Sequence, residues 1–133
     1  MTIRLEYVKG YQAGWSVPPS ITVVMEYIPE ISKNAYKTRN GFIKKRVKDW
    51  MADLSWILSS LIKSADREFK PPITLRIECE VKGTGRLPDT HNFIIPIADA
   101  CEDALGINDK DFKVITSPAK RGIDSRIIIT VEG

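Results

Sequence analysis

The sequence predicts an α/β (α+β) domain in which a small mixed β-sheet of four to five strands packs with two helices. One long amphipathic helix is predicted from about Gly41 to Ala65, where apolar residues recur at helical spacing and form a single stripe. The stretch from Ile73 to Val81 alternates apolar and polar residues, as in a strand with one buried face. A second helix is predicted from roughly Asn92 to Leu105, because its apolar face ends at Gly106.

Four shorter strands complete the predicted sheet. Their signals are alternation or enrichment in β-branched residues over residues 3–7, 21–28, 112–116 and 126–131. Glycine and proline predict loops over residues 10–20 and 117–125. The element order allows a right-handed crossover from the Ile73 strand through the second helix to the Phe112 strand.

Length and composition favour one folded domain, 1–133. The chain has 133 residues, of which 43% are hydrophobic and 28% charged, as in a globular protein. No apolar stretch is long enough to cross a bilayer, and the first six residues lack a signal pattern. We therefore predict a cytoplasmic protein with no membrane partner. The two cysteines, Cys79 and Cys101, lie on apolar faces and are predicted to be buried free thiols.

Charge is distributed unevenly along the chain. Seven cations and no acid lie between Lys33 and Lys48, whereas aspartates gather later, between Asp89 and Asp111. A basic segment set apart from an acidic one suits a protein that binds phosphates in one place and a cation in another. A solvated helix face with ordinary capping acids explains the same pattern, and charge alone favours that simpler interpretation.

The motif most suggestive of chemistry is Asp89-Thr90-His91-Asn92, between a loop and a helix start. Carboxylates that hold Mg²⁺ or Mn²⁺ activate water for phosphodiester hydrolysis. Asp89 is one candidate ligand, and Asp111 is a second if the intervening helix folds back along its flanking strands. Asp109 competes with Asp111. The alternatives stay open: Asp89 or Asn92 suits a helix N-cap, and the later aspartates suit a turn.

Several runs together resemble the RusA-like Holliday junction resolvases. They are Thr74–Cys79, Pro88–Asn92, Ile97–Ala100, Gly106 and Asp111–Val114. The resemblance covers residues 20–131 and leaves residues 1–19 as an N-terminal extension. It implies that Asp89, His91 and Asp111 are the metal-binding catalytic residues, with His91 standing where the family has a further aspartate. It also places Asp99 and Asn92 as residues supporting the ligands.

What the resemblance implies is a homodimeric, Mg²⁺- or Mn²⁺-dependent endodeoxyribonuclease that nicks four-way DNA junctions symmetrically. Because imidazole is a poorer ligand for Mg²⁺ than carboxylate, His91 implies reduced activity. A catalytically inactive DNA-binding module and a protein-interaction domain are the alternatives. The candidate DNA-binding residues are Lys33, Asn34, Lys37, Arg39, Lys44, Lys45, Lys48, Arg86, Lys120 and Arg121.

Overall fold

The predicted fold class is confirmed by a computed structural model, which describes residues 4–8, 11–16, 20–32, 34–65 and 69–133. The described strands are β1 (Arg4–Val8), β2 (Tyr11–Ser16), β3 (Ser20–Glu26), β4 (Ile73–Val81), β5 (Phe112–Thr116), β6 (Lys120–Arg121) and β7 (Arg126–Glu132). The helices are α1 (Lys45–Ala65) and α2 (Ile94–Leu105), and short 3₁₀ turns cover Pro29–Ile31, Thr90–Phe93 and Asp109–Asp111.

All described strands belong to one mixed sheet. Its order is β1-β2-β3-β7-β4-β5, and β6 pairs with the end of β4. Two of these strands, β2 and β6, lie in segments that the sequence predicts as loops. Neither has a long alternating pattern, and each is held by backbone pairing to a neighbour, β3 or β4. The N-terminal segment is thus part of the sheet through β1 and β2.

One face of the central strands forms the core. Alternate residues of β3, β4 and β7 are fully buried, because side chains on a strand point to opposite faces in turn. The stripes of α1 and α2 cover this face. The largest buried side chains include Ile21, Met25, Leu75, Ile77, Leu54, Ile57, Leu58 and Ile97. A hydrogen bond of 2.6 Å from the Ser55 hydroxyl of α1 to the Asp103 carboxylate of α2 joins the two helices.

The register of β7 fixes where the loops lie. Glu26 at the end of β3 and Glu80 near the end of β4 both pair with Arg126, because β7 runs antiparallel between these strands. We call this edge the carboxyl end of the sheet. The segments 27–44 and 82–93 leave from it, and both helices begin after them. The other edge, where β4 starts, is called the opposite end.

Both helices start later than their sequence patterns indicate. Residues 36–44 form a tight hairpin instead of a helical turn, closed by a hydrogen bond of 2.9 Å from the Lys44 N–H to the Tyr36 carbonyl. Helix α2 begins at Ile94 because Thr90–Phe93 form a 3₁₀ turn first. Pro96 lies in the first turn of α2, and Gly106 closes the helix, as predicted, with a left-handed backbone (φ 67°).

Both cysteines are buried free thiols, as predicted. Burial, with the nearby charge of Glu80, raises the pKa of Cys79 to about 11, and burial raises that of Cys101 to about 12. The thiols therefore stay protonated at neutral pH. Neither α1 nor α2 combines the length and the apolar character that a bilayer-spanning helix needs.

The central position of Ile129 in β7 gives a test of this core. Ile129 is completely buried, whereas Ile128 on the same strand faces the other side and is half-buried. We expect Ile129→Ala to lower the free energy of unfolding by about 2–5 kcal/mol, since it removes buried methyl groups and leaves a cavity. Urea denaturation measures the change. The matched variant Ile128→Ala should cost less than half as much; equal losses would contradict the assigned core face.

Candidate functional site

The site is built around Asp89, at the carboxyl end of the sheet. Asp89 is exposed and has an extended backbone (φ −90°, ψ 109°) just before the Thr90–Phe93 turn. Its Oδ1 accepts a hydrogen bond of 3.1 Å from the His91 N–H, and its carbonyl accepts one of 3.0 Å from the Asn92 N–H. Asp89 is therefore the N-cap of this turn, which was the alternative that the sequence left open.

An open groove of about 460 Å³ lies on one side of Asp89. One wall comes from the loop after β4 and the start of α2, and the other from the segment after β3. The lining residues are Tyr27, Pro29, Ser32, Arg86, Leu87, Pro88, Asp89, Asn92 and Phe93. The groove thus combines a cation, an anion, a hydroxyl and an amide over an apolar floor, which is the composition of small-ligand sites.

Two aromatic rings from different segments pack together at the base of the groove. Phe93 is 1% exposed, and its ring centroid lies 5.9 Å from that of Tyr27 at an interplanar angle of 56°. Burial raises the pKa of Tyr27 above its usual 10.0, and electrostatic interactions with Cys79 and Glu30 raise it further. The Tyr27 hydroxyl therefore remains protonated at neutral pH and can donate a hydrogen bond.

The loop carrying Arg86 is held in place by a second arginine. The guanidinium of Arg121, in β6, donates a hydrogen bond to the Gly85 carbonyl. Gly85 itself has a positive φ of 106°, a conformation that side chains rarely adopt. Arg86 is exposed, and no ion pair joins it to a described carboxylate. Its charge is available at the groove.

A second open cavity, of about 370 Å³, lies on the other side of Asp89. This cavity is lined by Thr90, His91 and the segment Thr116–Ala119, among others. Thr90 is 2% exposed, and its hydroxyl has no hydrogen-bond partner within the described residues. Asp89 lines both cavities, as do Leu87 and Pro88.

The structure does not bring the predicted metal ligands together. Asp109 and Asp111 form a turn before β5, and β5 starts beside Ile73 at the opposite end of the sheet. Helix α2 has 12 residues, so it separates these aspartates from Asp89 by about 18 Å. Among the described residues, no three His, Cys, Asp or Glu side chains are grouped closely enough to hold a metal ion. The crossover is parallel, as predicted, but it carries Asp111 away from Asp89.

Asp109 instead lies near Asp99 and Glu102. The Glu102 carboxylate accepts a hydrogen bond of 2.7 Å from the Asp109 N–H. Partial burial raises the pKa of Asp99 above 3.8, the charges of Glu102 and Asp109 raise it further, and Lys37 lowers it. Asp99, predicted to support metal ligands, thus belongs to an acidic cluster around the later part of α2.

The predicted cations fall into two groups near the carboxyl end of the sheet. The first group follows Asn34 and lies in the hairpin before α1 and in the first turn of α1. Its members are Lys37, Arg39, Lys44, Lys45 and Lys48. Arg86, Lys120 and Arg121 lie near the end of β4, where Lys120 approaches Glu80 at 3.8 Å. Lys33 lies outside the described residues.

The groove also contains residues that sequence reasoning missed. Tyr27, Pro29 and Ser32 follow β3, about sixty positions before Asp89, and no local motif joins them to it. The only signal was the sequence Tyr27-Ile28-Pro29, which marks the end of a strand. Because β3 and β4 end at the same edge, the fold brings them to the groove.

The capping role of Asp89 predicts a specific pattern of stability. We expect Asp89→Ala to lower the free energy of unfolding by about 0.5–2 kcal/mol, because the His91 N–H loses its acceptor. Asp89→Asn keeps an acceptor oxygen, so its loss in free energy of unfolding should be only a few tenths of the loss in Asp89→Ala. Thermal and urea denaturation check this. The capping role is contradicted if Asp89→Ala leaves the free energy of unfolding unchanged, or if both variants lower it equally.

Asp99 predicts a dependence of stability on pH. Its pKa is raised by folding, so the folded protein binds this proton more tightly than the unfolded chain does. Stability is therefore lost as the pH rises from 3.8 through the raised pKa. Asp99→Asn should have a higher free energy of unfolding than the parent protein at pH 7 and the same value at pH 3, measured by urea denaturation.

Removal of the neighbouring cation is the second arm of that experiment. Lys37 lowers the pKa of Asp99, so Lys37→Met should make the loss of stability with rising pH larger. If Asp99→Asn changes the free energy of unfolding equally at pH 3 and pH 7, the carboxylate of Asp99 is not responsible.

Comparison with known proteins finds solved structures of similar fold. No family model and no curated protein matches the sequence. Among solved structures, the periplasmic domain of Helicobacter pylori MotB (residues 90–256) is similar over 98% of this chain and 86% of its own, with a TM-score of 0.54 and 10% identity. A structure of MotB residues 78–256 is similar over 96% of this chain and 87% of its own, with a TM-score of 0.52 and 10% identity.

These similarities contradict the functional expectations drawn from the sequence. The structural neighbours are MotB periplasmic domains, so the RusA-like assignment and the endonuclease activity derived from it are wrong. The same similarities contradict the predictions that depended on this assignment, namely the inactive DNA-binding alternative, the branched-DNA partner and the homodimer. The predicted cytoplasmic location is likewise contradicted, because the similar structures are periplasmic domains. The chain is similar in fold to the MotB periplasmic domain.

Proposed function

We propose that this chain is a periplasmic binding domain whose groove at the carboxyl end of the sheet takes a charged component of the peptidoglycan cell wall. Similarity of fold to the MotB periplasmic domain supports the compartment. The observation that carries the ligand is the groove itself, where Arg86 and Asp89 present opposite charges on one wall.

The two charges define a ligand that carries both an anion and a cation. The guanidinium of Arg86 offers paired N–H donors that match the geometry of a carboxylate. Asp89 uses Oδ1 to cap the turn, and its second oxygen is available to accept from an ammonium or amide group. The short peptides of peptidoglycan carry free carboxylates, amide groups and amines, so they meet both requirements.

The neutral side chains of the groove complete the recognition. Ser32 and Asn92 lie on facing walls and supply a hydroxyl and an amide that can bond a peptide backbone. The partly exposed Tyr27 ring, which packs on the buried Phe93, and the exposed Leu87 provide apolar surface for the aliphatic part of a side chain. The groove is open rather than closed over, which suits a short branch of a large insoluble polymer.

Cosedimentation with purified peptidoglycan sacculi tests the proposal. The whole chain should bind the insoluble sacculi saturably, and free peptide stems released from them should compete. Arg86→Ala should weaken binding about tenfold, because a charge-assisted hydrogen bond contributes about 1.5–3 kcal/mol. Asp89→Asn keeps the cap and should also weaken binding, which separates the charge of Asp89 from its structural role.

Arg76→Ala is the matched control. Arg76 is an exposed arginine on the other face of the sheet, paired with Glu132 at 2.8 Å and remote from the groove lining. Its removal should leave sacculus binding unchanged. Failure of the parent chain to sediment with sacculi, or an equal loss in Arg76→Ala and Arg86→Ala, would overturn the proposal.

A further inference from the structure

The hairpin before α1 is a preformed structure that carries an exposed apolar side chain, Phe42, directly after its turn. Thr38 to Gly41 form a turn closed by a hydrogen bond of 3.0 Å from the Gly41 N–H to the Thr38 carbonyl, and Gly41 has a φ of 84°. The Thr38 N–H donates to the Phe42 carbonyl at 2.7 Å, and Lys37 pairs with Ile43 across the hairpin. We call residues 36–44 the Phe42 hairpin.

The hairpin holds two consecutive apolar side chains out in water. Phe42 is 71% exposed and Ile43 is 37% exposed, whereas Tyr36 at the base is buried in the core. Tyr36 therefore anchors the hairpin to the core, and the backbone hydrogen bonds of the hairpin fix the position of Phe42. Large apolar groups kept exposed on a built structure mark a surface that meets an apolar partner.

Cations lie close to Phe42 in the sequence. Arg39 lies in the turn, Lys44 precedes α1 and Lys48 lies in its first turn. Lys37 instead lies over the Tyr36 ring at 5.4 Å and interacts with Asp99. No ion pair joins Arg39, Lys44 or Lys48 to a described carboxylate. The first turn of α1 contains no acidic residue, although the positive end of a helix dipole favours one there. The positive potential of the helix end and of the side chains is therefore left for an external anion.

We propose that the Phe42 hairpin docks this domain on the surface of an anionic phospholipid bilayer. Phe42 would enter the boundary between headgroups and acyl chains, and Arg39, Lys44 and Lys48 would pair with lipid phosphates. A soluble polyanion would use the cations but would offer no apolar interior to receive Phe42. The bilayer is the partner that uses both, and it needs no membrane-spanning helix.

Cosedimentation with lipid vesicles tests this docking independently of the groove. The whole chain should bind vesicles of equal parts phosphatidylglycerol and phosphatidylcholine, and bind vesicles of phosphatidylcholine alone far more weakly. Phe42→Ser should reduce partitioning about tenfold, because it removes most of the inserted apolar surface. Lys44→Glu should reduce it at least fivefold, and added salt should weaken binding of the parent chain.

Two control variants lie away from the hairpin. Lys113→Glu makes the same change of charge at the opposite end of the sheet, and Trp56→Ser removes an aromatic side chain that is 50% exposed in the middle of α1. Each should partition like the parent chain, with folding checked by circular dichroism.

Binding that survives Phe42→Ser but is removed by heparin would identify a polyanion site and overturn the proposal. Equal binding to neutral and anionic vesicles, or no binding to either, would also overturn it. Sacculus binding should persist in Phe42→Ser, so failure of lipid docking and failure of the groove proposal are distinguishable.

Discussion

The position of β7 between β3 and β4 is the constraint on which the rest of the structure depends. Because β7 runs antiparallel to both neighbours, β3 and β4 are parallel to each other and end at the same edge of the sheet. Their following segments, distant in sequence, therefore meet there, and both helices start from that edge and return along the buried face. The groove and the Phe42 hairpin are consequences of this one pairing pattern, and a ligand site at the carboxyl ends of strands agrees with the general behaviour of α/β sheets.

Much of this architecture could be predicted from the sequence because the core has a simple period. The alternation in Ile73–Val81 and the stripe of α1 record burial directly, so those elements were identified correctly. Strands β2 and β6 were not, since their stability comes from backbone pairing to another strand and leaves little trace in local composition. The start of α1 is predicted too early because Ile43 fits the helical stripe although it is exposed.

The site was predictable only in part, for a related reason. Arg86, Asp89 and Asn92 were chosen from one short stretch, and all three line the groove. Their partners across the groove come from the segment after β3, which no spacing rule connects to Asp89. Asp111 is the opposite case, a residue that the sequence predicts at the site and the fold places elsewhere. Its position after α2 predicts a return to Asp89, but a helix antiparallel to its strands delivers the chain to the opposite end of the sheet. The resemblance to resolvases depended on order along the chain, and order did not determine proximity.

The two proposed surfaces constrain each other because they share one end of the molecule. A folded domain of this length has a radius of gyration of about 14 Å, so the groove and Phe42 are separated by no more than the width of a small domain. Lipid and cell-wall ligand can be held together only where both come within that distance. If both proposals hold, the domain would elsewhere bind only one of the two ligands at a time. Where both are within reach, binding one raises the effective concentration of the other without any change in shape, so the coupling depends on geometry alone.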